Sequence, residues 1–242
     1  MEELLLFFAL ALIAEIIGTV SGFGSSILFV PLAAIFFDFK IVLGITAVFH
    51  VFSNISKILL FRNGVDKSIF IKLGIPAIIF VIIGALLTKY IPQKEIELGM
   101  SFVLLILSVY LIFNINKTLE KNDRNLFIGG TLSGFLAGLI GTGGAIRGLT
   151  LTAFNLQKDI FIATSALIDL GVDSSRAVIY IYNGYFLKEH LIYIPGLILI
   201  SILGTWIGKK ILEKTSQKYF RYVVLGVILL TSIIQSVNYF FK

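Results

Sequence analysis

Runs of about 20 apolar residues recur along this chain, and that is the length a helix needs to cross the hydrocarbon core of a bilayer. Six segments meet it: 41–61, 69–88, 97–115, 159–181, 190–208 and 220–241. Two more apolar regions, 4–37 and 126–156, are too long for one span, and each is interrupted by glycines and hydroxyls, in 18-GTVSGFGSSILFVP-31 and 138-GLIGTGGAIRGLTL-151. The breaks divide each region into two arms of roughly 10 to 15 residues, the length of a hairpin that dips to mid-membrane and returns.

Composition agrees: 57% of residues are hydrophobic, 14% are charged, and the mean hydropathy is +0.99, which excludes a soluble domain of this size. The expected class is an all-α polytopic membrane protein. The leading segment 1-MEELLLFFALALIA-14 puts acid before the apolar run, so it is expected to stay rather than be cleaved as a signal peptide. The chain has no cysteine, which removes disulfides and thiolate metal sites, and no pattern calls for a metal or cofactor. A net charge of +6 sits in short loops and speaks to topology rather than to nucleic acid; the expected surroundings are lipid, with a homo-oligomer left open.

Loop charge distinguishes hairpins from crossings. If both broken regions return to the side they entered, Lys and Arg divide 11 against 5 between the two faces, whereas single crossings give 9 against 7. The positive-inside rule therefore selects hairpins, with both termini extracytoplasmic and the linker 116–125 and the loop 209–219 cytoplasmic. Localisation in the cell membrane follows as the expectation.

A shift of 119 residues superposes Gly22 on Gly141, Gly24 on Gly143, Lys57 on Arg176 and Pro76 on Pro195, and brings Asn63-Gly64 to Asn183-Gly184 after a one-residue slip. Each half is then a broken or re-entrant hairpin followed by three transmembrane helices, an odd number of crossings, so the second half is inserted upside down. The expected fold is two inverted-topology repeats, 1–115 and 126–242, joined by the cytoplasmic linker 116–125.

Inversion brings the two hairpin tips together near the midplane, where each return helix presents unpaired N–H groups and the positive end of its dipole. Glycines admit a ligand close to that backbone and the hydroxyls add donors, so Gly22, Gly24, Ser25, Ser26, Gly141, Thr142, Gly143 and Gly144 are candidates to bind a small anion. The alternative is that the glycines serve close helix packing. The next span of each half carries polar residues on one helical face: Thr46, His50, Asn54 and Lys57 in the first, Ser165, Asp169, Asp173 and Arg176 in the second. Asn54, Lys57 and Arg176 are candidates for anion binding, and Asp169, Asp173 and His50 for carrying a coupling proton. Other roles stay open at this level: Lys57 and Arg176 snorkel to the interface, His50 makes an interhelical hydrogen bond, and the aspartates pair with Arg176 or Lys57. Glu15 and Arg147 flank the tips, Arg147 either as an anion-binding cation or as the partner of Glu15 or an aspartate.

The two glycine-rich breaks leading into small-residue helices, 22-GFGSSILFVPL-32 and 141-GTGGAIRGLTL-151, resemble those of the sulfite exporter TauE/SafE family, and the resemblance covers essentially the whole chain. It implies a secondary transporter of a small anion, a sulfur oxyanion or organosulfonate of the sulfite or sulfoacetate kind, working by alternating access. The rival readings are a passive anion channel of the same architecture and an intramembrane enzyme built on Asp169 and Asp173. Nothing in the sequence resembles a nucleotide-binding loop, and the expectation is that the chain is not an enzyme.

Overall fold

The computed structural model describes residues 2–22, 24–62, 64–90, 121–154 and 156–241, with scattered residues between 98 and 114. The expected span 97–115 is described only in fragments, and linker residues 116–120 and Asn63 lie outside the described residues. All regular structure among the described residues is helical: α1 Glu2–Ser21, α2 Ser26–Ala33, α3 Phe39–Leu60, α4 Lys67–Leu87, α5 Asp123–Ile140, α6 Gly144–Ala153, α7 Lys158–Tyr182, α8 Ile194–Glu213 and α9 Gln217–Phe241. Among them α1, α3, α4 and α8 with its preceding turn are long and apolar enough to cross a membrane. The chain is a multi-pass membrane protein.

The breaks in regular helix follow local chemistry. Pro76 lacks an N–H, and just before it the α4 ladder widens into a π-helical turn over Phe70–Gly74. Pro195, its counterpart, stands at the start of α8, after a tight 3-10 turn over Lys188–Tyr193. Helix α5 begins at Asp123, inside the segment expected to be linker, because the Asn122 side chain accepts the Asn125 N–H and caps the helix there.

Both glycine-rich regions are hairpins with unequal arms. Helix α1 is 20 residues long and α2 is 8, while α5 is 18 and α6 is 10. Nothing between Glu2 and Gly18 interrupts helix, so the first arm runs further than an equal division of the region suggests. The return strokes fold back along the first arms: the rings of Phe36 and Phe37 meet that of Phe7 at 5.7 and 5.5 Å, and Gly129 lies against Thr150.

Three helix pairs organise the interior. Helices α4 and α5 run parallel in a near-backbone contact: a Cβ added at Gly130, Gly134 or Gly138 would come within 2.2, 2.1 or 2.2 Å of the carbonyl oxygens of Leu73, Ala77 and Val81. Helices α1 and α8 are also parallel, Glu15 against Gly204 and Thr19 against Gly208. Helices α3 and α7 run antiparallel. Gly44 lies against the Tyr185 carbonyl, the Asn54 amide donates to Asp173 at 2.7 Å, and the Asp66 N–H donates to Thr164 Oγ1 at 2.9 Å.

Asp66, in the loop before α4, caps that helix by accepting the Ile69 N–H at 3.0 Å and also pairs with Lys121. Partial burial pushes its carboxyl up, but the bonds from Lys121 and the Ile69 N–H outweigh that and hold it below the usual carboxylate range. Asp66→Ala is expected to cost about 1 kcal/mol. Because the folded carboxyl is the stronger acid, the difference from wild type is full at neutral pH and disappears as pH falls through the folded-state value, which thermal unfolding across the acidic range measures.

Candidate functional site

The two hairpin tips are built alike. Helix α1 ends at Ser21 and Gly22 follows at φ +79°; α5 ends at Ile140 and Gly141 follows at φ +80°, each N–H closing back on a carbonyl four residues earlier, at 3.0 Å in both. These are left-handed helix ends that favour glycine, and Gly24, between the first tip and α2, also has a positive φ, +96°. After each tip a short helix starts at once, α2 behind Ser25 and α6 behind Gly143. Neither residue caps its helix with a side-chain hydrogen bond.

Both helix starts line one cavity, Gly24, Ser25 and Ser26 from the first tip and Gly141, Gly143 and Gly144 from the second. Helix α3 adds His50, Asn54 and Lys57, and α7 adds Asp169, Asp173 and Arg176. The candidates drawn from opposite ends of the sequence therefore meet at one place. Two do not line it: Gly22 packs on Phe161 and Ile162, and Thr142 is buried with its Oγ1 unpartnered among the described residues. The cavity is tight, at about 10 Å³, room for about one water molecule.

Lys57, Arg176, Asp169 and Asp173 line that small void, Glu15 and Arg147 lie behind the lining, and these three cations and three carboxylates are all buried and joined as pairs. Lys57 Nζ lies 2.8 Å from Glu15 Oε1. Glu15 also accepts from the hydroxyls of Ser25 and Ser53 at 2.7 Å, Thr205 at 3.0 Å and Thr19 at 3.3 Å, which fastens α1, the first tip, α3 and α8 to one carboxylate. Arg176 Nε donates to Asp173 Oδ1 at 2.7 Å, and Asn54 holds the other Asp173 oxygen. The remaining pair is Arg147 with Asp169, where Arg147 Nε also donates to Ser165 Oγ at 2.9 Å. His50 Nε2 bonds Ser25 Oγ at 2.9 Å, and its Nδ1 stands 3.9 Å from Asp173.

These contacts decide several alternatives. Lys57 and Arg176 are 3% and 1% exposed, so neither snorkels. Lys57 pairs with Glu15 and not with an aspartate, because α1 brings Glu15 to it within the same half. Arg147 takes Asp169 and not Glu15. The glycines divide: a Cβ at Gly18 or Gly143 would lie 2.5 or 1.9 Å from backbone, which is packing, whereas one at Gly24 would meet only Asp169 Oδ2 at 3.6 Å, which is access to the cavity.

Sequence reasoning named Arg176 but missed Tyr180 and Thr88, which help it to anchor the second tip. The second tip is tied by three donors to the terminal carbonyls of α5: Tyr180 and Thr88 reach Gly138 O at 2.6 and 2.7 Å, and Arg176 reaches Gly141 O at 3.0 Å. Ser53 had a legible signal, since it falls three residues after His50 on the polar face of α3. Thr205 had one too, between Gly204 and Gly208 in a small-residue stretch.

The family model described as Sulfite exporter TauE/SafE matches residues 7–234 of the chain. A curated relative, a probable membrane transporter protein of Methanocaldococcus jannaschii, is 26% identical over 245 residues, covering 89% of this chain and 89% of its own. No solved structure matches.

Proposed function

Because the chain belongs to the sulfite exporter TauE/SafE family and is a membrane transporter, we propose that it moves a small anion, a sulfur oxyanion or organosulfonate, across the cell membrane by alternating access about the two tips. The observation that carries this reading is the convergence of two helix N-termini, α2 and α6, on one buried cavity, both without side-chain caps. First-turn amides and aligned helix dipoles favour negative charge, Lys57 and Arg176 line the same cavity, and Arg147 stands behind it, paired with the lining residue Asp169. Gly22, Gly24, Ser25, Ser26, Gly141, Thr142, Gly143 and Gly144 form or support the cradle, Asn54, Lys57 and Arg176 set its polarity, and Asp169, Asp173 and His50 are the groups through which a proton gradient acts.

We read the halves as inverted repeats. The tips and the starts of α3 and α7 share the 119-residue offset, and the packing is reciprocal: α1 on α8 is matched by α5 on α4. Helices α3 and α7 are each other's counterparts and lie antiparallel, as inversion requires. With both termini extracytoplasmic, the tips enter from opposite sides.

The test is thermal unfolding of purified protein with sulfite, thiosulfate, sulfate, sulfoacetate, taurine and acetate. A sulfur anion at 100 to 1,000 times its Kd is expected to stabilise the fold by roughly 3 to 4 kcal/mol, with acetate giving much less. If acetate matches them, the substrate class is wrong; if no anion acts, so is the reading of the tips.

A further inference from the structure

We infer that anion binding at this site is an exchange of partners at Arg147: the anion displaces Asp169 from the guanidinium, and one proton enters with it to neutralise the released carboxylate. The inference rests on the anion-transport reading above and specifies where the charges go. It also makes Arg147 the cation that meets the substrate.

The first observation is the charge balance. Lys57, Arg147 and Arg176 match Glu15, Asp169 and Asp173 one for one, with side chains 12% exposed or less, so no positive charge stands over for an incoming anion. Adding an anion to this set would bury an uncompensated negative charge, which is costly in a dry site. The balance is kept if the anion takes a cation from its carboxylate and that carboxylate is neutralised. Written out, anion⁻ with the Asp169⁻–Arg147⁺ pair and one H⁺ gives the anion⁻–Arg147⁺ pair and neutral Asp169, with no other charge changed.

The second observation is that the three pairs are unequally tied. Glu15 accepts from four hydroxyls besides Lys57, and they come from four parts of the fold, so releasing Lys57 would leave a caged carboxylate. Asp173 is held by Asn54 as well as Arg176, and Arg176 is itself fixed to the second tip through Gly141 O. The hydrogen bond described at Asp169 comes from Arg147 alone, and its side chain is the most exposed of the three carboxylates, at 12% against 5% and 0%. It also faces the first tip at Gly24, where a Cβ would find open room up to 3.6 Å. Of the two carboxylates that line the cavity, Asp169 and Asp173, the weaker-held is thus the one facing the first tip.

The surroundings of Asp169 complete the case. Helix α6 presents Arg147; α7 itself presents Ser165 and, one turn on, Asp173 with Arg176. Helix α3 contributes Lys57 and His50 to the cavity wall, the first tip contributes Ser25, and α4 packs on α7 with apolar contacts such as Ile78 against Gly171. Lys57 is engaged by Glu15, and His50 by Ser25 with Asp173 beyond it. Neither neighbour is available to replace Arg147 as the partner of Asp169. Guanidinium is also suited to the exchange, because its planar fork serves a carboxylate or a sulfonate in the same bidentate manner.

The experiment measures proton uptake and binding together, in weakly buffered detergent solution near neutral pH, with the monoanions methanesulfonate and ethanesulfonate as the probes. Wild type is expected to take up about one proton per anion bound. Asp169→Asn should bind more tightly, by about 10-fold, since the competing carboxylate is gone, and should take up none. The double variant R147Q/D169N, which removes both charges together and so leaves no buried charge alone, should bind at least about 30-fold more weakly than wild type. Wild-type binding without proton uptake overturns the exchange, and so does wild-type affinity in the double variant. If neither sulfonate binds wild type, the anion reading of the tips falls and takes this assignment with it.

Discussion

Gly134→Val is expected to remove folded protein from the membrane. A Cβ at that position would lie 2.1 Å from the Ala77 carbonyl oxygen and 2.6 Å from its Cα, and neither can move without parting α4 from α5. The neighbours one turn either way, Gly130 and Gly138, make the same approach to Leu73 and Val81, so separating the helices at Gly134 breaks the contact along its length. Overpacking in a fitted interior costs about 1 to 3 kcal/mol, and here the obstacle is backbone, so the upper end or beyond is expected. The consequence reaches the site, because α5 carries the second tip. Gly226→Ala is the control: nothing lies within 4 Å of a Cβ there, and in a helix the change should be neutral or stabilise by about 0.5 to 1 kcal/mol. Monodisperse yield and thermal unfolding read both variants; a Gly134→Val protein as stable as wild type would mean the helices are not in contact.

Lys57→Met should be nearly as damaging, for an electrostatic reason. It strips the cation from Glu15, a carboxylate with no exposed surface, and leaving a buried charge without its partner typically costs about 3 to 5 kcal/mol. The four hydroxyls that also donate to Glu15 soften the loss without cancelling it. Replacing both partners, as E15Q/K57M, should recover most of the stability, since an uncharged amide keeps some of those bonds and no lone charge remains. The double-mutant cycle gives the coupling between the two residues. A coupling near zero would mean that Lys57 is held for the substrate and not for Glu15.

Much of the architecture was legible because the bilayer imposes a length, and apolar runs of that length are hard to disguise. The spans expected at 41–61, 69–88 and 159–181 are helices over 39–60, 67–87 and 158–182. The tips were legible for a different reason: left-handed helix ends favour glycine, and Gly22 and Gly141 carry almost the same positive φ. Arm lengths were not, because a break fixes where a helix stops and says nothing of how far the helix ran before it. Nor were the partners within the site. The polar faces of α3 and α7 named His50, Asn54, Lys57, Asp169, Asp173 and Arg176 by periodicity, but which acid meets which base depends on a third helix. Glu15 reaches Lys57 only because α1 folds in beside α3, and Arg147 reaches Asp169 only because α6 returns from the second tip. The α4–α5 contact was written in the spacing of Gly130, Gly134 and Gly138, a four-residue repeat of small residues that a hydropathy reading passes over.

The tightness of the central void has a thermodynamic consequence for any ligand. A space of about 10 Å³ holds about one water, while a sulfonate group alone has four heavy atoms, so every bound state belongs to a wider conformation than this one. The ligand then acts as a wedge. Its measured Kd is the intrinsic value divided by the fraction of molecules already wide enough to admit it, so a site that binds tightly once open reports a modest affinity overall. Substitutions that loosen the tips without touching the ligand will therefore register as gains in affinity.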